Sequence, residues 1–127
     1  MEEEVPQQLK TAAIAQLVSG LVNWFVMSFL VYLGVGVVAA VCTFWIGGLG
    51  GICGLVGCLL IPIGIFEVVA GVMGLTNPKQ GAQIMKYATY AEFASVLFGG
   101  IPAAVVGYLV TQWLAEPEVV AYIESDG

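Results

Sequence analysis

The chain has 127 residues, of which 60% are hydrophobic and only 9% are charged. A water-soluble domain carries about 25% charged residues, so this chain has too few charges to cover a core with a solvated surface. Its formal net charge of −6 argues against binding to nucleic acid. The composition predicts an integral membrane protein whose first partner is the lipid bilayer.

Residues 1–10 form an acidic N-terminal segment that begins Met1-Glu2-Glu3-Glu4. A secretory signal begins with basic residues and ends at a small-residue cleavage site. Because neither feature occurs here, we expect the first apolar helix to be retained. Residues 11–115 are expected to form one transmembrane helical domain, and residues 116–127 an acidic C-terminal tail.

Three apolar segments are each long enough to cross a bilayer, which requires about 20 apolar residues. They cover residues 11–45, 49–75 and 87–113, and Gly- or Pro-containing turn signals separate them. The preferred fold is therefore an all-α transmembrane bundle with three spans. The first segment is longer than a hydrocarbon core of about 30 Å requires. A break near Gly34 and Gly36 would instead give four spans, near residues 12–33, 36–53, 56–75 and 87–113.

The lysines indicate the orientation, since cytoplasmic loops carry an excess of basic residues. In the three-span topology Lys10, Lys79 and Lys86 all lie on the cytoplasmic face, and the acidic tail lies outside. In the four-span topology both acidic ends lie outside. Either way, we expect a multi-pass protein of the cell membrane.

The second apolar segment carries glycines at regular intervals. Four of them are spaced seven residues apart, and two occupy the complementary heptad position. Small residues at this period predict close packing of two membrane helices. The partner is either another helix of this chain or a second copy. This glycine seam consists of Gly47, Gly50, Gly54, Gly57, Gly64 and Gly71.

Small and polar residues also line one face of the first and third segments, because their spacing follows the helical period. On the first segment they are Gln16, Ser19, Gly20 and Asn23, and on the third they are Glu92, Ser95, Gly99, Ala103 and Gly107. Pro102 is expected to bend the third helix, since proline removes a backbone hydrogen bond.

Two acidic residues, Glu67 and Glu92, lie inside apolar segments. Glu67 follows Gly64 by three residues and precedes Gly71 by four, so it shares the glycine face and points toward protein. Intramembrane carboxyl groups are costly and are candidates for function. Without an embedded cation, at least one is expected to carry a proton. The predicted polar layer fixes helix register or binds a proton or cation, and its members are Glu67, Glu92, Gln16 and Ser19.

The sequence offers no catalytic constellation. It contains no His and no Cys-x-x-Cys pair, so neither a metal site nor a cofactor is expected. No Gly-rich phosphate loop occurs between a strand and a helix. The tail from Glu116 to Glu124 resembles a short helix, with Pro117 at its first position, that lies on the membrane surface.

Two stretches resemble segments of small uncharacterised bacterial polytopic membrane proteins. The first is Ile61-Pro62-Ile63-Gly64-Ile65-Phe66-Glu67 followed by Gly71. The second runs from Gly100-Ile101-Pro102 through Gly107-Tyr108-Leu109 to Trp113-Leu114-Ala115-Glu116-Pro117-Glu118-Val119 and Tyr122. The resemblance covers about half of the chain and implies several spans, often four. It supplies no catalytic residues.

Two functions are compatible with these features. The first is a non-catalytic packing or scaffold subunit, in a homo-oligomer or in a larger membrane complex. The alternative is a small oligomeric ion or proton channel, or a coupling component, that uses Glu67.

Overall fold

The computed structural model describes residues 4–42, 55–98 and 100–125, and every regular element in these ranges is a helix. The predicted all-α class is therefore confirmed for the described part of the chain.

The first rod is one continuous helix with a local change of winding. It runs from α1 (Gln7–Leu21) through a π-helical turn (Val22–Met27) into α2 (Ser28–Cys42). The Ser28 hydroxyl donates a hydrogen bond to the carbonyl of Trp24 inside this turn. Helix α2 continues through the position where the four-span alternative required a break, so that break is absent.

The second apolar segment leads into the third through a short turn. A 3-10 turn (Leu55–Leu59) continues into α3 (Leu60–Thr76), which ends at Asn77. Helix α4 (Pro78–Ser95) begins directly afterwards with a proline in its first turn. A proline is well placed there, because the first helical N–H groups have no partner within the helix.

The segment predicted as one span over residues 87–113 consists of two helices. After α4, a 3-10 turn (Val96–Phe98) leads to Gly100, and α5 (Ile101–Leu114) follows. The Gly100 N–H donates a hydrogen bond to the Ser95 carbonyl, with an N···O distance of 2.8 Å. The prediction of a single third helix is therefore wrong.

Pro102 has a different role from the one predicted. It lies in the first turn of α5, where its missing N–H costs no intrahelical hydrogen bond. It therefore helps to begin a helix and does not bend a continuous one. The helices α4 and α5 are antiparallel, since Glu92 lies against Gly107 while Lys86 shares a groove with Leu114.

Four helices pack into an antiparallel bundle in which α1 contacts α3 and α5, and α4 contacts the same two helices. Helix α6 (Pro117–Glu124) packs against α4 and α5. Small and medium side chains fill the core, so the helices lie close together. The buried core residues are Leu9, Ala12, Ala13, Ala70, Ala82, Met85, Ala88, Val110, Leu114 and Val119.

The N-terminal segment and α6 meet at one end of the bundle. Glu4, Lys10, Glu118 and Tyr122 line a common cavity there. Lys79 also reaches this end, because its ammonium nitrogen donates to the Ser125 carbonyl oxygen at 2.6 Å. We call this the charged end. The three-span topology placed the two termini on opposite faces, whereas the reversal between α4 and α5 brings them together.

The described members of the glycine seam lie against the first rod. A methyl group at Gly64 would lie 2.7 Å from the carbonyl oxygen of Gly20. Methyl groups at Gly57 and Gly71 would lie 2.6 Å and 2.7 Å from backbone atoms of the same rod. Because these distances leave no room for a side chain, the 3-10 turn at Leu55–Leu59 and α3 are in backbone contact with the first rod. Three further members lie outside the described residues, namely Gly47, Gly50 and Gly54.

The two helical glycines Gly64 and Gly34 provide a matched test of this contact. Gly64→Ala should lower the free energy of unfolding by about 1–3 kcal/mol, because the methyl group overpacks the interface. A methyl group added at Gly34 would meet no atom within 4 Å. Gly34→Ala should therefore raise the free energy of unfolding by up to about 1 kcal/mol, because alanine has the higher helix propensity. Unfolding in mixed micelles measures both, and equal effects of the two substitutions would contradict the packing described.

Candidate functional site

A buried polar cluster lies where α1, α3 and α4 meet. Glu67 of α3 and Glu92 of α4 both have an exposed fraction of 0%. On the first rod, Gln16 and Asn23 lie about 9 Å and 20 Å beyond Lys10 at 1.5 Å per residue. The cluster is therefore deep inside the bundle, well away from the charged end.

Each carboxyl group is held by one side-chain amide of the first rod. Gln16 Nε2 donates to Glu92 Oε1 at 2.9 Å. Asn23 Nδ2 donates to both carboxyl oxygens of Glu67, at 2.9 Å and 3.2 Å. Buried polar groups require such partners, because an unpaired one costs about 1–3 kcal/mol. These hydrogen bonds therefore fix the first rod in register against both α3 and α4.

Ser19 lies between the two acids. Its side chain interacts with the carboxyl groups of both Glu67 and Glu92, although its hydroxyl oxygen makes no hydrogen bond of normal geometry in the described part of the chain. A serine hydroxyl can donate one hydrogen bond and accept others at the same time. It is thus the group best placed to join the two acids.

The cluster contains more acceptors than donors. Amide oxygens and ionised carboxylate oxygens can only accept hydrogen bonds. Several buried oxygens have no hydrogen-bond partner in the described part of the chain, and most buried polar atoms in proteins do have one. Additional protons, or a cation, would satisfy these atoms. The oxygens without a partner are Gln16 Oε1, Ser19 Oγ, Asn23 Oδ1 and Glu92 Oε2.

No described lysine is available to neutralise the two acids. Lys10 and Lys79 lie at the charged end, and Lys86 lines a groove on the outer side of α4 and α5. Two ionised carboxylates would leave an uncompensated charge in a medium of low dielectric constant, which is strongly unfavourable. Positive charge must therefore accompany them.

Two glycines make room for the cluster. A methyl group at Gly20 would lie 2.8 Å from the Cβ atom of Glu67, and one at Gly107 would lie 2.5 Å from Glu92 Oε2. Gly20 follows Ser19 directly, so the first rod presents a polar side chain and then an open position to α3. Helix α5 contributes only the bare backbone at Gly107, against which the Glu92 carboxyl group rests.

The amide orientation favours a proton over a metal ion. The nitrogen atoms of Gln16 and Asn23 face the carboxyl groups, whereas a metal ion would need oxygen atoms there. No group of three or more His, Cys, Asp or Glu side chains suited to a metal occurs among the described residues. A cluster of two acids with amide donors is suited to holding and exchanging protons.

All four residues of the predicted polar layer lie in this cluster. Sequence reasoning placed Asn23 on the polar face of the first helix but left it out of the layer. The spacing of seven residues from Gln16 was the available signal. The π-helical turn that contains Asn23 carried no recognised signal, and such turns often occur at functional sites.

The polar stripe predicted on the third segment is divided between two helices. Glu92 and Ser95 are buried on α4, and Ala103 and Gly107 are buried on α5. Gly99 lies outside the described residues. The common face that the sequence indicated is thus an inward-facing surface of a helical hairpin.

Comparisons with protein-family models, with curated proteins and with solved structures find no match for this chain. The resemblance to small bacterial polytopic proteins therefore stays a prediction, and the cluster itself is the basis for a functional assignment.

A double-mutant cycle tests the Asn23–Glu67 contact. Asn23→Leu alone should lower the free energy of unfolding by about 1–3 kcal/mol, since it leaves the buried carboxyl group without its amide donor. Combining it with Glu67→Leu should recover much of this loss, because no unpaired polar group then remains. Unfolding in mixed micelles gives the coupling free energy, and strictly additive losses would rule out the contact.

Proposed function

We propose that this chain is a multi-pass membrane protein that binds and passes protons at the buried Glu67–Glu92 pair, as a proton channel or a proton-coupled component. The observation that carries the proposal is the deep acid pair. Within the described residues, the pair has amide donors, unpartnered oxygens and no lysine beside it.

The membrane location is supported by two helices that are long and apolar enough to cross a bilayer, Gln7–Val38 and Gly57–Thr76. In the core of a soluble protein such helices would be mostly buried. Here only 11% and 33% of their most apolar windows are buried. Their large apolar side chains therefore face outward, where lipid would surround them.

The proposed topology follows from the charged end. Lys10 and Lys79 lie at this end together with α6, so the positive-inside rule places it in the cytoplasm. Both termini would then be cytoplasmic. The α4–α5 hairpin would enter the membrane from the same side and reverse inside the apolar segment near Val96–Phe98.

The topology is tested by labelling single cysteines in a background without the native Cys42, Cys53 and Cys58. Glu4→Cys and Glu118→Cys should react with an impermeant thiol reagent from the same side of the membrane, because both line one cavity. Intact cells and inverted vesicles distinguish the two sides. Labelling of the two positions from opposite sides would restore the three-span topology.

The proposed proton path uses Ser19 as the link between the acids. The neutral acid form of Glu92 gives its proton to the Ser19 oxygen while the Ser19 hydroxyl gives its own proton to the Glu67 carboxylate. The Glu92 O–H bond breaks as a new Ser19 O–H bond forms, and the original Ser19 O–H bond breaks as a Glu67 O–H bond forms. The serine is therefore unchanged. The position of Ser19 beside both acids supports this route.

Proton flux into vesicles that contain the purified chain tests the function. Under an imposed pH gradient, Glu67→Gln and Glu92→Gln should each reduce the flux to that of empty vesicles, because an amide cannot take up a proton. Ser19→Ala should slow the flux and Ser19→Thr should restore it.

Glu118→Gln is the matched control, since this acid lies at the charged end. It should conduct like the native chain. If the native chain shows the same proton flux as Glu67→Gln and Glu92→Gln, the proton path is excluded. A flux that depends on sodium instead would favour a cation site.

The packing or scaffold role stays a prediction. The described glycines Gly57, Gly64 and Gly71 contact the first rod of the same chain, so they offer no free face to a second copy. Crosslinking in native membranes would test for partners.

A further inference from the structure

A groove of about 320 Å³ lies on the outer side of the α4–α5 hairpin and extends to α6. Most of its wall is aromatic or aliphatic, formed by Tyr90, Phe93, Leu114 and Val120. Tyr90 is 70% exposed and Phe93 is 43% exposed, so the groove is open along its length. In the membrane topology proposed above, this opening faces lipid.

Among the described residues, Lys86 is the one charged residue in the groove wall. It differs from Lys79, which donates hydrogen bonds to Ser125, and from Lys10, which shares its cavity with Glu4 and Glu118. The two threonine hydroxyls of the wall are already used, since each donates to a backbone carbonyl of its own helix. The groove therefore presents one cation and no acid.

The cation and the apolar wall are arranged along the axis of α4. Lys86 lies beside the end of α5 and the start of α6, about 10 Å along α4 from Lys79 at 1.5 Å per residue, and its long side chain can extend toward the surface. Tyr90 and Phe93 follow at intervals of four and three residues, so they continue the same face deeper into the bilayer. A molecule that fits must have an anionic group at the surface and an apolar chain beneath it.

We propose that the groove binds one phospholipid with a net anionic headgroup. Its phosphate would contact the Lys86 ammonium, and one acyl chain would lie along Tyr90 and Phe93. A zwitterionic headgroup fits less well, because its own cation would find no acid in the wall. The proposal rests on the membrane placement above, but it is independent of the proton site.

Native mass spectrometry of the full chain, released from nanodiscs of mixed lipid, tests the proposal. Phosphatidylglycerol should be retained over phosphatidylcholine by about fivefold, the effect of one lysine at a membrane surface. Lys86→Gln should remove this preference, and the control Lys10→Gln should keep it. Equal retention of the two lipids by the native chain, or an unchanged preference in Lys86→Gln, would overturn the proposal.

A second variant separates the groove from its charge. Ala115 lines the groove, and Ala115→Trp would fill it while leaving Lys86 in place, so retention of both lipids should fall. If the native chain is a dimer and Ala115→Trp dissociates it whether or not lipid is present, the groove is an interface with a second copy and the lipid site is refuted.

Proton flux in phosphatidylcholine vesicles should be the same for Lys86→Gln and the native chain. Loss of the lipid preference therefore leaves the proton proposal standing, and loss of flux leaves the lipid proposal standing.

Discussion

The structure depends on two contacts in which a side-chain amide donates hydrogen bonds to a buried acid. Gln16 binds Glu92 and Asn23 binds Glu67, so one helix is joined to two others through polar groups that have no access to water. In a bilayer, lipid tails give helices no hydrophobic reason to associate, and close packing and polar contacts must hold them together. Loss of an amide would leave its acid buried and unpaired, which is unfavourable. The two contacts therefore fix the register of all three helices.

Close backbone approach and the acid contacts depend on each other. Gly64 and Gly71 bring α3 against the first rod on either side of Glu67. Only at this separation can the short side chain of Asn23 reach both carboxyl oxygens. Within the described part of the chain, this packing leaves several oxygens of the cluster without a partner. The features that stabilise the bundle thus also create the shortage of donors on which the proposed proton function rests.

The reversal between α4 and α5 determines the rest of the architecture. It places the bare backbone of Gly107 beside the Glu92 carboxyl group. In a continuous helix these two residues would lie far apart. It returns α6 to the N-terminal segment, so the charged residues collect at one end. It also forms the groove that contains Lys86. One turn therefore links the acid cluster, the charged end and the groove.

The sequence alone determined the helical structure and the faces that point inward, and its composition predicted a membrane protein. Composition depends only on residue counts, and spacing of three and four residues places Gly64, Glu67 and Gly71 on one face of any helix. Tertiary structure decided where the chain turns and which polar groups meet. The turn after Ser95 lies in an apolar stretch, so hydropathy indicates the middle of a span. Gly99, Gly100 and Pro102 are turn signals there, but local signals alone do not distinguish a bend in one helix from a reversal between two. The contact between Asn23 and Glu67 joins residues that are 44 positions apart. Local periodicity in the sequence does not predict such a contact, because packing between helices determines which residues meet.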